Sequence, residues 1–264
     1  MSDFSEKVVW ITGASSGIGL ALARACAERG AFVVLSARSI ETLEEVRLSL
    51  PEPDRHFSLP LDLEDQSNYT GLVSQVVSRY KRIDILINNG GISQRGEAGE
   101  TPLDVDRKIM EINYFGTIAL TKSILPVLRK QKSGHIVTIS SIAGKFGFYL
   151  RSAYAASKHA LQGFFESLLL EEAQNNIRVT LVYPGKINTP ISTRALNTDG
   201  QAHGVMDHNQ ETGMPAEECA RRILDAVEKN KIEILVGNKE IKAVTLKRFF
   251  PKLFWKIIRN QKAT

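Results

Sequence analysis

The hydrophobic positions of the chain fall into two alternating patterns. Short continuous apolar runs are typical of strands that are buried on both faces of a sheet, whereas longer stretches repeat apolar residues at helical spacing. The runs predict strands at Val8–Thr12, Phe32–Ser36, His56–Leu59, Ile83–Ile87, Ile136–Ser140, Arg178–Val182 and Ile232–Val236. The longer stretches predict helices at 17–29, 40–49, 65–80, 104–131, 153–174 and 216–229.

This alternation predicts an α/β fold with one doubly wound parallel sheet of about seven strands and helices on both faces. No linker rich in proline, glycine or serine divides residues 1–240, so we predict one domain there. Residues 241–264 are predicted to form a basic, amphipathic helical extension. Loops that follow strands are the places where such sheets bind ligands. The long ones here are 90–103, 141–152 and 184–214.

Composition narrows the function classes. The net charge of +5 comes from the C-terminus, because residues 1–240 hold 27 basic and 29 acidic residues, while seven bases and no acid follow Glu240. No basic stripe crosses the body, which argues against nucleic-acid binding. Cys26 and Cys219 are far apart and form no CxxC pair, so neither a disulfide framework nor a metal site is expected.

Two further features bear on the compartment. The N-terminus lacks the basic and apolar regions of a secretory signal, and no apolar run reaches about 18 residues. The sparse cysteines fit a reducing compartment. We therefore expect a soluble, cytoplasmic protein, with peripheral membrane contact as an option for the basic extension.

A glycine-rich loop joins the first predicted strand to the first helix. Glycines let backbone N–H groups approach an anion, and a helix N-terminus adds partial positive charge for a pyrophosphate. This position directly after the first strand favours a Rossmann-type dinucleotide site over the alternative, a plain tight turn. The loop residues predicted to bind the cofactor are Gly13, Ser15, Ser16, Gly17, Ile18 and Gly19.

The end of the second predicted strand indicates which dinucleotide is bound. Rossmann proteins that use NAD place an acidic residue near this point, on the ribose 2′-hydroxyl. Here Arg38 follows the strand and no acid is present. Because a guanidinium can hold a 2′-phosphate by paired hydrogen bonds, we predict NADP(H) as the cofactor. The alternative is a solvated arginine at the start of a loop.

Four polar residues are candidates for catalysis. Tyr154 and Lys158 lie four residues apart on a predicted helix and share a face. A neighbouring ammonium favours the phenolate, so we expect Lys158 to lower the pKa of Tyr154 and suit it to acid–base chemistry. Ser141 follows the fifth strand, and Asn113 lies in mid-helix against its propensity. An exposed Tyr–Lys pair and a buried structural amide are the alternatives.

Together these motifs resemble the short-chain dehydrogenase/reductase family. TGASSGIG, NNGG, YAASK (154–158) and PGKINT (184–189) occur in the family's order and spacing. The resemblance implies that Tyr154 is the proton donor or acceptor, Lys158 holds the nicotinamide ribose and Ser141 binds the substrate oxygen. It implies that Asn113 positions a water that relays protons to Lys158. It also implies cofactor contacts for Arg38, Asp62, Asn88, Gly90, Tyr154, Lys158, Pro184, Gly185, Ile187 and Thr189.

The chain departs from the family pattern at two points. The alanine of the usual NNAG motif is a glycine here, at Gly90 or Gly91. The C-terminus lacks the glycine-rich ending of acyl-carrier-protein ketoreductases and looks more like the 11-beta-hydroxysteroid-dehydrogenase-like and dehydrogenase/reductase member 7-like branches. Those branches tend to use lipophilic substrates.

The resemblance therefore implies an NADP(H)-dependent oxidoreductase that moves a hydride to or from the carbonyl or alcohol carbon of a lipophilic small molecule. A 3-oxoacyl-thioester reductase and a catalytically silent NADP-binding scaffold are the alternatives. The resemblance also implies a homodimer or homotetramer that pairs helices 104–131 and 153–174.

The extension has two contrasting faces. Lys252, Lys256 and Arg259 share one face of a helix, and Leu253, Phe254, Ile257 and Ile258 share the other. A basic amphipathic helix can lie on an anionic membrane, but its apolar face can equally pack on the body, on a partner subunit or over the substrate cleft. The cleft walls are predicted at Ser93–Arg95, Lys145–Leu150 and Lys186–His208, with an apolar lining of Phe146, Phe148, Tyr149 and Met206.

Overall fold

A seven-stranded parallel sheet forms the centre of the computed structural model, which describes residues 4–261. The strands are β1 (Val8–Thr12), β2 (Phe32–Ser36), β3 (Phe57–Ser58), β4 (Ile85–Asn88), β5 (Gly134–Ile139), β6 (Ile177–Pro184) and β7 (Glu233–Val236). Their order is β3-β2-β1-β4-β5-β6-β7, which confirms the predicted Rossmann-type sheet. Since the chain builds outward from β1 and then crosses to β4, the ends of these two strands form the topological switch point where such sheets bind ligands.

Helices cover both faces of the sheet. They are α1 (Gly17–Glu28), α2 (Ile40–Ser49), α3 (Tyr69–Tyr80), α4 (Leu103–Met110), α5 (Gly116–Gln131), α6 (Ser152–Glu171), α7 (His208–Glu211), α8 (Ala216–Glu228), α9 (Lys242–Phe249) and α10 (Pro251–Ile258). Two separate hydrophobic layers result, because successive strand residues point to opposite faces. Ile11 of β1 lies in one layer with Leu22 of α1, and Trp10 lies in the other with Phe165 of α6.

The predicted helix 104–131 is interrupted by a π-helical turn over Glu111–Phe115. The turn separates α4 from α5 and contains the buried Asn113. Such turns insert an extra residue into a helix and occur often at functional sites. Pro126 lies inside α5 and does not end it. The short helix α7, within the predicted loop 184–214, was also not expected from the sequence.

The C-terminal extension forms two helices rather than one. α9 ends before Phe250, and Pro251 begins α10, as expected of a residue that lacks an N–H and suits the first turn of a helix. Phe254 is fully buried, with its ring 5.1 Å from the ring of Phe146. The extension therefore packs on the body. Residues 1–3 and 262–264, which include the extension's last base Lys262, lie outside the described residues.

Candidate active site

A cavity of about 990 Å³ opens at the carboxyl edge of the sheet. Its walls come from the segments after β4, β5 and β6, from the start of α6 and from the C-terminal extension. The predicted catalytic and cofactor-binding residues that line it are Ile18, Ser141, Tyr154, Lys158, Pro184, Gly185, Ile187 and Thr189. The fold thus brings together three of the four catalytic candidates and the predicted nicotinamide segment.

The side chains of Tyr154 and Lys158 lie one turn apart on α6, and both are buried. Lys158 Nζ lies 5.8 Å from the centroid of the Tyr154 ring and donates a hydrogen bond of 2.9 Å to the carbonyl of Ile139. Ser141 follows β5 and caps a short 3-10 turn, where its Oγ accepts a hydrogen bond of 3.1 Å from the N–H of Ala143. These contacts fix a phenol, an ammonium and a hydroxyl along one wall of the cavity.

Burial dominates the electrostatics of this wall. It raises the pKa of Tyr154 above its usual value, while a hydrogen bond with Ser141 and the charges of Arg95 and Arg151 act in the opposite direction. Burial also lowers the pKa of Lys158 to about 8. The expectation that Lys158 lowers the pKa of Tyr154 is therefore wrong for this state of the protein. Desolvation of the phenolate outweighs the nearby cations, and the cations that act are the two arginines.

Asn113 holds the loop after β4 against α6. Its Oδ1 accepts a hydrogen bond of 2.8 Å from the N–H of Ile92, and its Nδ2 donates to the Ile92 carbonyl at 2.9 Å and to Ser157 Oγ at 3.0 Å. A Cβ at Gly91 would lie only 2.9 Å from Asn113 Oδ1 and 3.7 Å from Lys158 Nζ. Asn113 itself does not line the cavity. The absence of a side chain at Gly91 thus leaves room for this amide.

The glycine loop after β1 is folded tightly against the end of β4. Gly13 and Gly17 have left-handed φ angles of +65° and +54°, which favour glycine. Thr12 Oγ1 accepts a hydrogen bond of 3.0 Å from the N–H of Asn89, and Asn89 Nδ2 donates to the Thr12 carbonyl at 2.9 Å. No acid lies in the first turn of α1, so its N–H groups and partial positive charge suit an anion. The loop therefore fits the diphosphate of a dinucleotide.

The remaining predicted cofactor residues lie along the same sheet edge, outside the cavity. Arg38 is exposed after β2, and within residues 4–261 its guanidinium has no acidic partner. Asp62 is exposed beyond β3, and its Oδ1 accepts a hydrogen bond of 3.0 Å from the N–H of Glu64. Ser16 Oγ accepts a hydrogen bond of 3.1 Å from Arg194. A ligand that reaches from Tyr154 to Arg38 would span the switch point.

Asn88 and Asn89 have different surroundings. Asn88 is buried at the end of β4, and its Nδ2 donates a hydrogen bond of 3.0 Å to Thr121 Oγ1 in α5. Asn89 and Gly91 line the cavity instead, and sequence reasoning missed both. The alternation of side chains along a strand was the available signal, because it sends consecutive residues to opposite faces.

Sequence reasoning also missed an ionic cluster in the cavity wall. Arg95, Arg151 and Asp207 come from three different loops, and all three line the cavity. Arg95 and Asp207 had been expected in the cleft walls, but not as partners. Nothing local in the sequence signals a pairing between residues 112 positions apart.

The C-terminal extension closes the apolar side of the cavity. Lys247 Nζ donates a hydrogen bond of 2.7 Å to the carbonyl of Lys145, and the Tyr149 hydroxyl donates one of 3.0 Å to the carbonyl of Arg259. The apolar lining includes Phe146, Phe148, Leu246, Phe250, Ile257 and Ile258. Tyr149 and Met206, expected in the lining, are 44% and 37% exposed and lie outside it. None of the described helices is both long and apolar enough to span a membrane.

Comparison with known proteins gives a consistent family assignment. The family model described as short chain dehydrogenase matches residues 7–200. Dehydrogenase/reductase SDR family member 7B of Mus musculus is 41% identical over 262 residues, which cover 97% of this chain and 81% of the mouse protein. Dehydrogenase/reductase SDR family protein 7-like of Drosophila melanogaster is 43% identical over 261 residues, covering 97% and 80%.

Solved structures match the whole architecture. A short-chain dehydrogenase from Streptomyces avermitilis has a TM-score of 0.81 and 31% identity, with 98% of this chain and 99% of that chain covered. A short-chain dehydrogenase from Burkholderia cenocepacia in complex with NADP has a TM-score of 0.80 and 25% identity, covering 99% and 100%. One from Burkholderia phymatum in complex with NAD has a TM-score of 0.82 at 21% identity, covering 100% and 98%, and shows the fold alone.

Proposed function

The chain belongs to the short-chain dehydrogenase/reductase family of oxidoreductases, and we propose that it uses NADP(H) to interconvert the carbonyl and alcohol forms of a lipophilic small molecule. One observation carries the proposal. Ser141, Tyr154 and Lys158 share a cavity with the Pro184–Thr189 segment, and the same sheet edge continues to the glycine loop. A hydride donor held along this edge and a carbonyl held at Tyr154 would then meet.

Three sites along the edge would hold the cofactor. The glycine loop and the N-terminus of α1 would bind the diphosphate, and Lys158 would bind the nicotinamide ribose. Arg38 would hold the 2′-phosphate, because the end of β2 offers a guanidinium and no carboxylate. The Burkholderia cenocepacia relative was solved with NADP, which supports this choice, whereas the more distant Burkholderia phymatum protein was solved with NAD.

Residues of this chain would bind the substrate oxygen and transfer the proton, while bound NADPH would supply the hydride. In the reducing direction the protonated Tyr154 hydroxyl gives its proton to the substrate oxygen, and the Ser141 hydroxyl donates a hydrogen bond to the same atom. A raised pKa suits Tyr154 to this direction, because it keeps the phenol protonated at neutral pH. Lys158 and Asn113 order the wall around the tyrosine. The water relay implied for Asn113 stays a prediction.

A direct test is reduction of a panel of lipophilic ketones and aldehydes by the purified protein. We expect NADPH to be consumed in a one-to-one ratio with alcohol formed, and NADH to be used poorly. Short acyl-thioester ketones belong in the same panel, since faster turnover of these would favour the alternative reductase. NADPH binding with no turnover of any carbonyl or alcohol would favour the silent scaffold and overturn the proposal.

We further propose that the outer face of the extension contacts an anionic membrane. Phe249, Leu253 and Trp255 are 64%, 47% and 45% exposed, and exposed basic residues surround them. Phe250 and Ile257 are exposed and also line the cavity, so this apolar surface is continuous with the cavity. A lipophilic substrate could then pass between bilayer and cavity without crossing water.

Vesicle co-sedimentation tests the membrane proposal. We expect binding to phosphatidylserine-containing vesicles but weak binding to neutral ones, and about a ten-fold loss when Phe249 and Trp255 are both changed to Ser. Leu48→Ser, a change at a residue that is 62% exposed on α2, is the matched control and should leave binding unchanged. Equal partitioning of the double variant and the original protein would contradict the proposal.

The predicted homodimer or homotetramer remains a proposal for the helices that the family resemblance pointed to. Phe115, beside α5, and Leu170, on α6, are 45% and 77% exposed, although both are large apolar side chains. A self-complementary interface would cover them. Sedimentation velocity should show a dimer or tetramer that Leu170→Glu weakens. A monomer at all concentrations would exclude this assembly.

A further inference from the structure

The loops around the cavity meet in a buried ionic cluster of Arg95, Arg151 and Asp207. Arg95 Nε and Arg151 Nη2 each donate a hydrogen bond of 2.9 Å to Asp207 Oδ2. The side chains of Arg95 and Asp207 are 1% exposed, and that of Arg151 is 12% exposed. The three side chains sum to a formal charge of +1 in a desolvated place.

The cluster is built onto the start of α6, where Tyr154 lies. Gln94 Oε1 accepts hydrogen bonds from the N–H groups of Ala153 at 2.8 Å and Tyr154 at 3.3 Å. The N–H of Gly96 donates to the carbonyl of Leu150 at 3.1 Å. The residues on either side of Arg95 therefore anchor the segment that carries Arg151 and Tyr154.

A link between the three loops does not require two arginines and one aspartate. One arginine and one aspartate would make a neutral clamp, and each additional buried guanidinium carries a desolvation cost. Burial, and to a smaller extent the like charge of Arg95, lower the pKa of Arg151 to about 10, so the second guanidinium is charged in an unfavourable place. Asp207 Oδ1 is buried and accepts no hydrogen bond from the described residues, so both arginines bond to the same carboxylate oxygen, Oδ2. The surplus positive charge faces the cavity that holds the Tyr154 phenol.

We propose that Arg95, Arg151 and Asp207 act as positioning residues that set the proton affinity of Tyr154. The two arginines favour the phenolate and Asp207 moderates them, so that a phenol in an apolar wall can still give up and regain its proton. This inference rests on the proposed function, in which Tyr154 is the acid and base. It assigns the cluster no contact with the substrate.

Other charged and polar groups share the wall, and the test must separate them from the cluster. Lys158 lies one turn along α6 and Ser141 lies after β5. The further titratable side chains that line the cavity are Lys186, His208, Lys239, Glu240 and Lys242. None of these five accounts for the shift of the Tyr154 pKa, whereas Arg95 and Arg151 both oppose the effect of burial.

The experiment is the pH dependence of kcat/KM for NADPH-dependent ketone reduction. Activity should fall as the pH rises through the pKa of Tyr154, because the phenol must be protonated to act as the acid. Arg95→Gln removes a cation and should move this falling limb to higher pH by about one unit, and Arg151→Gln should move it in the same direction. Asp207→Asn removes the anion and should move the limb to lower pH.

The opposite signs separate this account from a purely structural role. Loss of a structural clamp would lower activity in all three variants without opposite shifts. Arg95→Lys keeps the charge and should restore the original profile, and Arg222→Gln changes an exposed arginine on α8, away from the cavity, and should leave the profile unchanged. Profiles that coincide, or shift in one direction for both Arg95→Gln and Asp207→Asn, overturn the inference.

A second readout covers variants that turn over too slowly. The ¹³Cζ resonance of labelled Tyr154, identified by its loss in Tyr154→Phe, follows ionisation without turnover. Arg151→Gln, at the least buried of the three positions, is the variant most able to keep the fold, and its resonance should titrate at higher pH than in the original protein. An unchanged titration overturns the inference. If Tyr154→Phe remained active, the proposed function would fail instead.

Discussion

The cofactor side and the substrate side of the candidate site are held together in different ways. On the cofactor side, the glycine loop and the ends of β1 and β4 are joined by hydrogen bonds that involve the backbone, as between Thr12 and Asn89. On the substrate side, the three loops are joined by ionic hydrogen bonds between side chains, from Arg95 and Arg151 to Asp207. The extension adds apolar side-chain packing there, as between the rings of Phe146 and Phe254.

This difference shows which part of the site follows from the fold. Any parallel sheet of this order places its first loop and helix at the switch point, so the cofactor side needs little beyond glycines and one strand register. The substrate side depends on particular side chains that the fold does not dictate. We therefore expect variants of one side to leave the other largely intact. Four changes, taken from the largest expected effect to the smallest, probe the two sides.

The largest effect is expected for Phe254→Ala on the substrate side. Phe254 is 1% exposed and packs edge-on against Phe146. Truncation should weaken docking of the extension by about 3 kcal/mol. Hydrogen exchange over α9 and α10 should accelerate, with NADPH affinity unchanged. Leu253→Ala, at a residue 47% exposed on the same helix, is the control. If the variant lost NADPH affinity while the extension stayed docked, the proposed independence of the two sides would be contradicted.

Next in size is Gly19→Ala on the cofactor side. A Cβ there would lie 2.2 Å from the Gly13 carbonyl oxygen and 2.5 Å from Asn89 Nδ2, so the loop must shift. The Kd for NADPH, measured by fluorescence titration, should rise about 100-fold, or about 2.7 kcal/mol. Gly163→Ala on α6, where a Cβ would meet nothing within 4 Å, should leave the Kd unchanged. Tight NADPH binding by Gly19→Ala would show that this loop does not hold the cofactor.

A smaller effect is expected for Arg38→Gln, which tests whether the cofactor side distinguishes NADPH from NADH. Loss of a charged hydrogen bond to a 2′-phosphate should raise the Kd for NADPH about ten- to thirty-fold and leave that for NADH unchanged. Isothermal titration with both cofactors measures this directly. Arg24→Gln, an exposed change on α1, is the control. If the original protein binds NADH as well as NADPH, the assignment of Arg38 is wrong.

The smallest effect is a gain in stability from Lys158→Met in the cofactor-free protein. Burial lowers the pKa of Lys158 from 10.5 to about 8, so the folded state bears a cost for the ammonium. After loss of the hydrogen bond to Ile139, the net gain should be about 1 kcal/mol. Below pH 8 both states hold the proton and the cost is full. As the pH rises from 8 towards 10.5 the folded state loses its proton first, the original protein becomes more stable, and the variant's advantage shrinks.

Chemical denaturation at pH 7 and pH 10 measures this gain. Lys122→Met, at an exposed lysine of α5, should change stability little at either pH. A variant at Lys158 that is less stable at pH 7 than the original protein would show that the ammonium contributes more through its contacts than its burial costs.

The sequence predicted the strands and most helices well because apolar residues recur at the spacing that buries them in the sheet or against it. It missed the π turn at Asn113, since a shift of one residue in backbone bonding barely changes that periodicity. Pro251 is a signal that one helix ends near Phe250 and another begins, but the apolar face of the extension suggested a single helix. The Arg95–Asp207 pairing and the pKa of Tyr154 depend on long-range packing and desolvation, which no local pattern reports.

The central claim is that Tyr154 performs acid–base chemistry in a cavity it shares with bound NADPH. The most direct test compares Tyr154→Phe with the original protein for NADPH binding and for reduction of the best ketone of the panel. The account predicts an unchanged Kd for NADPH and a fall in kcat of about 100-fold or more. A variant that reduces the ketone at an undiminished rate would contradict it and move the search for the proton donor to another group in the cavity.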